Sequence, residues 1–169
     1  HLGPVEIGGW KWKFVMQNPP EKFLQEECRL VCQSTLSFAK VSPFLKMKEV
    51  KVEKVSSDLF RLIVRVQNQG FLSTAGSQQA INTASVKKPK IKIKLSANQK
   101  LKMGLPEFES EHLTGRSLHL PWHNPIWTSA RENSHEGQYE WLIAGQGAVI
   151  FQGEFGRGGA LKAEISLQN

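Results

Sequence analysis

Glu49-Val-Lys-Val-Glu53 and, past the turn signal Ser56-Ser-Asp58, Phe60-Arg-Leu-Ile-Val-Arg-Val-Gln67 decide the fold. In the first stretch Val50 and Val52 alternate with Glu49, Lys51 and Glu53. In the second, Phe60, Leu62, Val64 and Val66 alternate with Arg61, Ile63, Arg65 and Gln67. Successive side chains of an extended strand point to opposite faces, so this period of two sets an apolar face against a largely polar one. Two such runs joined by a short polar turn predict an antiparallel hairpin.

Downstream the same alternation recurs. Asn68-Gln-Gly70 closes the second strand, a shorter extended piece is expected near Phe71 to Thr74, and Ile91 to Leu95 supplies another strand. Tyr139, Trp141 and Ile143 share one strand face, Val149 and Phe151 lie in the next strand, and Leu161, Ala163, Ile165 and Leu167 in the last. Gly145-Gln-Gly147 and Gly156-Arg-Gly-Gly159 are the intervening turns. Trp141 is the expected core aromatic.

Upstream the period changes to a helical one. Asn18-Pro-Pro-Glu21 combines a capping side chain, prolines suited to a first turn and an acid at the capping-box position. The helix is expected to run to about Lys40, where Ser42-Pro43 ends it. Leu24, Cys28, Val31, Thr35 and Phe38 form its apolar stripe, flanked by Phe23, Cys32, Leu36 and Ala39. The expected fold is therefore mainly β: an antiparallel β-sandwich, Ig-like or transthyretin-like, of about seven strands, preceded by one α-helix.

Composition sets the outer bounds. The 169 residues, 40% hydrophobic and 22% charged, suit one well-buried domain with a short docking element. No apolar run approaches the roughly 20 residues of a membrane-spanning helix. Cys28 and Cys32, the only cysteines, sit four apart on one helix face, which does not favour a disulfide between them; they are expected to be buried free thiols. The net charge of +7 favours acidic partners in general.

The positive charge is concentrated at Lys87, Lys88, Lys90, Lys92 and Lys94, of which the last three alternate with Ile91, Ile93 and Leu95. The expected reading is the solvated face of an edge strand, whose lysines discourage aggregation. The functional alternative is a polyanion or glycan contact made by Lys90, Lys92 and Lys94 with Trp122 and Trp127. The least regular segment, Asn98 to Glu136, carries those two tryptophans, Pro106, Pro121, Pro125 and four of the five histidines. His119, His123 and His135 invite a metal reading, which Pro121 weakens by breaking the helix that would align the first two.

No nucleophile elbow, zinc-protease His-Glu-x-x-His or P-loop is present. Trp10, Trp12 and Phe14 alternate with Lys11 and Lys13 as a strand would, and are expected to cover an apolar surface.

The first residues carry a family resemblance. Leu2-Gly-Pro-Val-Glu-Ile-Gly-Gly-Trp10, then Gln17-Asn-Pro-Pro20 and a helix opening Glu21-Lys-Phe-Leu-Gln-Glu-Glu27, resemble the end of the catalytic domain in bacterial zinc carboxypeptidases of the carboxypeptidase A-like superfamily. Val64-Arg-Val-Gln-Asn-Gln-Gly70-Phe-Leu-Ser-Thr74 is similar to a strand of the β-sandwich extension in such proteins, with Ser73 where a proline is usual. Glu140-Trp-Leu-Ile-Ala-Gly145 looks like a late strand of that extension.

The resemblance implies that residues 1–43 are the last strand, loop and helix of a peptidase domain and that 44–169 are an accessory β-sandwich. It further implies an upstream peptidase domain as partner, zinc bound in that domain, and an exported or periplasmic parent. The family's zinc site needs His-x-x-Glu, and none of the five histidines here has Glu three positions on. No catalytic residue, metal or cofactor is therefore assigned to this chain. The expected role is non-catalytic, with Glu6, Trp10, Trp12, Phe14, Leu24 and Val31 as interdomain contacts and self-association as a further outcome. Nucleic acid and membrane are not expected partners.

Overall fold

The computed structural model describes residues 2–116 and 135–168. Two compact units, His1–Lys40 and Val41–Asn169, each hold their own contacts.

In the first unit a 3-10 turn, Glu21–Phe23, leads into helix α1, Leu24–Lys40. Glu26 and Glu27 lie in its first turn and Lys40 in its last, each favourably placed against the helix dipole. The aromatic run Trp10 to Phe14 departs from its expected strand. Trp12–Met16 forms a single π-helical turn, with Gln17 N donating to Trp12 O at 3.0 Å. Asn18 Nδ2 closes the segment by donating to Lys13 O at 2.8 Å. A lone strand satisfies none of its own backbone groups, whereas a turn does so locally.

The second unit is an antiparallel β-sandwich of eight described strands in two sheets. β1 (Leu45–Ser56), β2 (Leu59–Asn68), β6 (Glu136–Ala144) and β4 (Lys100–Met103) form one sheet in the order β1-β2-β6-β4. β5 (Glu107–Glu109), β3 (Lys90–Lys94), β7 (Gly147–Glu154) and β8 (Ala160–Leu167) form the other in the order β5-β3-β7-β8. A short helix, α2 (Gln78–Asn82), stands between β2 and β3, its first turn capped by Ser77 Oγ.

The hairpin pairs as its alternation requires. Val50 faces Val64 and Val52 faces Leu62, while Glu49 meets Arg65 and Glu53 meets Arg61 on the outer face. Inward residues of both sheets make the core: Phe60, Leu62, Val64, Val66, Tyr139, Trp141 and Ile143 against Ile91, Ile93, Val149, Phe151, Ile165 and Leu167. Trp141 has no exposure, and its ring lies 6.1 Å from that of Phe151 in an edge-on arrangement. Its indole N–H donates to Leu105 O at 2.9 Å, so the buried polar atom is satisfied.

Three further expectations change. The sandwich has eight described strands because Lys100–Met103 and Glu107–Glu109 pair within the stretch read as irregular. These strands of four and three residues are too short to show a period. Phe71 to Thr74 bends without regular structure and enters a turn at Thr74, and it forms no strand. β3 is not an edge strand, because β5 pairs it on one side and β7 on the other.

Candidate functional site

Outside the core, three surfaces offer chemistry. The first is the His1–Lys40 unit. None of its described residues is buried, and only Pro19 and Pro20 are half-buried. Trp10 is 78% and Val31 64% exposed, with Trp12, Phe14 and Leu24 also open and Glu6 exposed beside them. Cys28 and Cys32 are exposed as well, contrary to the expectation of buried thiols. They lie in the apolar stripe of α1, and nothing within the unit covers it.

The second is the lysine strand. Lys90 stands opposite both Glu109 and Glu154, and Lys92 opposite Glu107, with Lys92 Nζ 2.6 Å from Glu107 Oε2. That ammonium holds the Glu107 carboxyl below its usual range, first through the hydrogen bond and then through charge. Lys88 pairs with Glu111 at 2.6 Å, which raises the lysine above its usual value. Lys94 faces Ile150 and is exposed. Lys88 and Lys92 are thus paired with carboxylates and Lys90 has glutamates in register on both neighbouring strands, an arrangement suited to sheet pairing and water rather than to a polyanion. Trp122 and Trp127, the other members of that alternative, lie outside the described residues, as do His119 and His123.

The third is the end of the sandwich where Val64-to-Thr74 turns the corner, and its centre is Asn68. The side chain is fully buried and makes four hydrogen bonds. Oδ1 accepts from Phe44 N at 3.1 Å and Gly70 N at 3.0 Å; Nδ2 donates to Leu72 O at 2.8 Å and Thr114 O at 3.0 Å. An amide has two donor hydrogens and an oxygen with two lone pairs, so Asn68 is saturated and has nothing left for a ligand. The backbones it gathers approach closely. A Cβ on Gly70 would collide with Ser42 O and Phe44 N, and one on Gly115 with Phe71 O.

Beside it, Thr74 Oγ1 lies 3.1 Å from His112 Nδ1 and accepts from Leu113 N at 3.0 Å. Burial lowers the His112 pKa below its usual value, with Glu111 opposing and Lys88 reinforcing the shift. Burial thus favours the neutral ring, whose Nδ1 shares one hydrogen bond with the threonine hydroxyl. Residues His112, Thr74 and Asn68 therefore fasten strand ends to one another.

Against this hub opens a cavity of about 480 Å³, lined by Phe44, Gln67, Asn68, Gln69, Arg116 and His135. The separation of Phe44 from Arg116 along the chain hid it from sequence reasoning. The Asn68-Gln-Gly70 motif was the one available signal. Among the described residues no three His, Cys, Asp or Glu side chains come together as metal ligands. His135 Nε2 instead lies 3.4 Å from Glu136 Oε1.

Comparison with known proteins gives one match. The family model described as "Domain of unknown function (DUF8731)" covers residues 44–166. No curated protein and no solved structure matches the chain.

Proposed function

We propose a non-catalytic role for this chain, which belongs to the DUF8731 family: it is the accessory region of a zinc carboxypeptidase-like protein. In this reading residues 1–43 dock on a peptidase domain, and the β-sandwich that follows stabilises that domain or shapes substrate access to it. The observation that carries the reading is a contrast between the two units. The sandwich closes its own core around Trp141 and Phe151, whereas the first unit buries none of its described residues and leaves Trp10, Trp12, Val31 and Phe38 open. A 17-residue helix is marginal in water by itself, and contiguous exposed apolar surface on such an element marks an interaction surface.

The peptidase identity of the partner rests on the resemblance of Leu2 to Trp10 and of the helix opening. The chain has no His-x-x-Glu with which to hold a zinc ion as that family does, so no hydrolytic step is assigned to its residues. The reading frame upstream of His1 tests the proposal. A continuous frame encoding His-x-x-Glu is the expected result; an in-frame stop followed by a local start overturns it.

A further inference from the structure

We infer that the cavity at the Asn68 end of the sandwich binds a small organic monocarboxylate with an apolar body. This site lies within the sandwich and stands independently of any docking by the first unit.

Size comes first. About 480 Å³ falls within the range of about 300–1,000 Å³ found for small-molecule pockets. The walls are also held before any ligand arrives. Phe44 N donates to Asn68 Oδ1, and Gln69 N donates to Phe44 O at 2.7 Å. Asn68 N donates to His135 O at 2.8 Å, and Arg116 N to Gly70 O at 3.0 Å. Three backbone–backbone bonds and one to the Asn68 side chain thus tie Phe44, Gln69, Arg116 and His135 to the same short turn, and a frame of this kind reduces the ordering cost of binding.

Chemistry then selects the ligand. The guanidinium of Arg116 is exposed and, among the described residues, has no carboxylate partner. Its planar fork matches a carboxylate in a two-point contact. Gln67 Nε2 donates to Glu136 Oε1 at 2.9 Å and Gln69 Nε2 to Gln67 Oε1 at 3.1 Å, which leaves each amide a second hydrogen to donate.

A single carboxylate matches the charge of the lining. Glu136, which neighbours His135 at 3.4 Å, is already paired with Lys48 Nζ at 2.5 Å. Arg116 is the one Lys or Arg among the lining residues, so one new negative charge balances it. Phe44, 55% exposed with Lys46 Nζ 5.4 Å from its ring centroid, offers an aromatic surface for the rest of the ligand.

The experiment titrates the full 169-residue chain with 3-phenylpropanoate, its uncharged amide and inorganic phosphate, observing backbone amide resonances. Saturable shifts of Gln69, Gly70 and Arg116 with the carboxylate are expected, together with affinity for the amide lower by about tenfold or more, the scale of one charge-assisted hydrogen bond. Arg116→Gln is expected to weaken the carboxylate by a similar factor, and Phe44→Ala to weaken the carboxylate and the amide alike. The acid-against-amide comparison needs no variant and so does not depend on how either variant folds. Equal binding of acid and amide, unchanged affinity in Arg116→Gln, tighter binding of phosphate, or no saturable shift at these residues would each overturn the inference.

Discussion

Thr74 Oγ1 and His112 Nδ1 face each other at 3.1 Å inside the sandwich, 38 residues apart in sequence, and the histidine is only 7% exposed. Protonation of the ring places a charge where burial opposes it, with Glu111 the favourable neighbour and Lys88 the unfavourable one. The folded-state pKa is therefore below the ordinary value of 6.5, and the unfolded chain binds the proton first as pH falls. The stabilisation is complete above that ordinary value and is lost as pH drops from there toward the depressed folded value. The lowered carboxyls, Glu107 and Glu136 among them, act with the same sign but only below about pH 4.5. Thermal melts should show declining stability just below pH 6.5. His112→Asn keeps a hydrogen-bonding partner for Thr74 and removes the titration, so its melting temperature should be flat across that window; an unchanged slope would exclude His112 as the cause.

Asn68 should be the most sensitive polar position in the sandwich. Asn68→Ala strands two backbone donors and two backbone carbonyls in a closed corner, and one unsatisfied buried group costs about 1–3 kcal/mol. A loss of about 2–4 kcal/mol in urea unfolding is expected, since some of these groups will find water. Gln69→Ala, one residue on and exposed, should cost little. Equal effects at the two positions would show that the corner does not depend on the Asn68 amide.

The hairpin and the last three strands were legible because each alternates over enough residues to display a face, and Phe60-to-Val66 and Tyr139-to-Ile143 do align inward. Glu107–Glu109 was not legible, because three residues cannot establish a period. Missing it turned β3 from a paired inner strand into an expected edge, and the carboxylates opposite Lys90 and Lys92 went unseen with it. The hub at Asn68 lay hidden for another reason. Asn-x-Gly marks a turn locally, and Gly70 and Leu72 are near in sequence, but the other two of the four atoms that saturate the amide come from Phe44 and Thr114, whose sequence positions give no sign of proximity.

The partly paired lysine stripe leads to an expectation for heparin chromatography. Lys90→Gln with Lys92→Gln should lower the eluting salt concentration no more than Lys100→Gln with Lys102→Gln, which removes the same charge from exposed positions on the other sheet. A markedly earlier elution of the stripe variant would identify a polyanion surface there.

Cys28 and Cys32 give a direct readout of the apolar helix face. Both thiols are exposed, so in the isolated chain each should react with a maleimide without denaturant, at a rate near that of a free cysteine peptide. Charge placed in the same stripe should do little harm: Val31→Asp, at a position 64% exposed, is expected to leave the melting temperature of the sandwich unchanged. When the same residues are present in a longer chain that carries the proposed upstream domain, both thiols should be protected, and Val31→Asp should restore their labelling by opening the docked face. Slow labelling in the isolated chain would mean that the stripe is already covered. Fast labelling in the longer chain would remove α1 as the docking element.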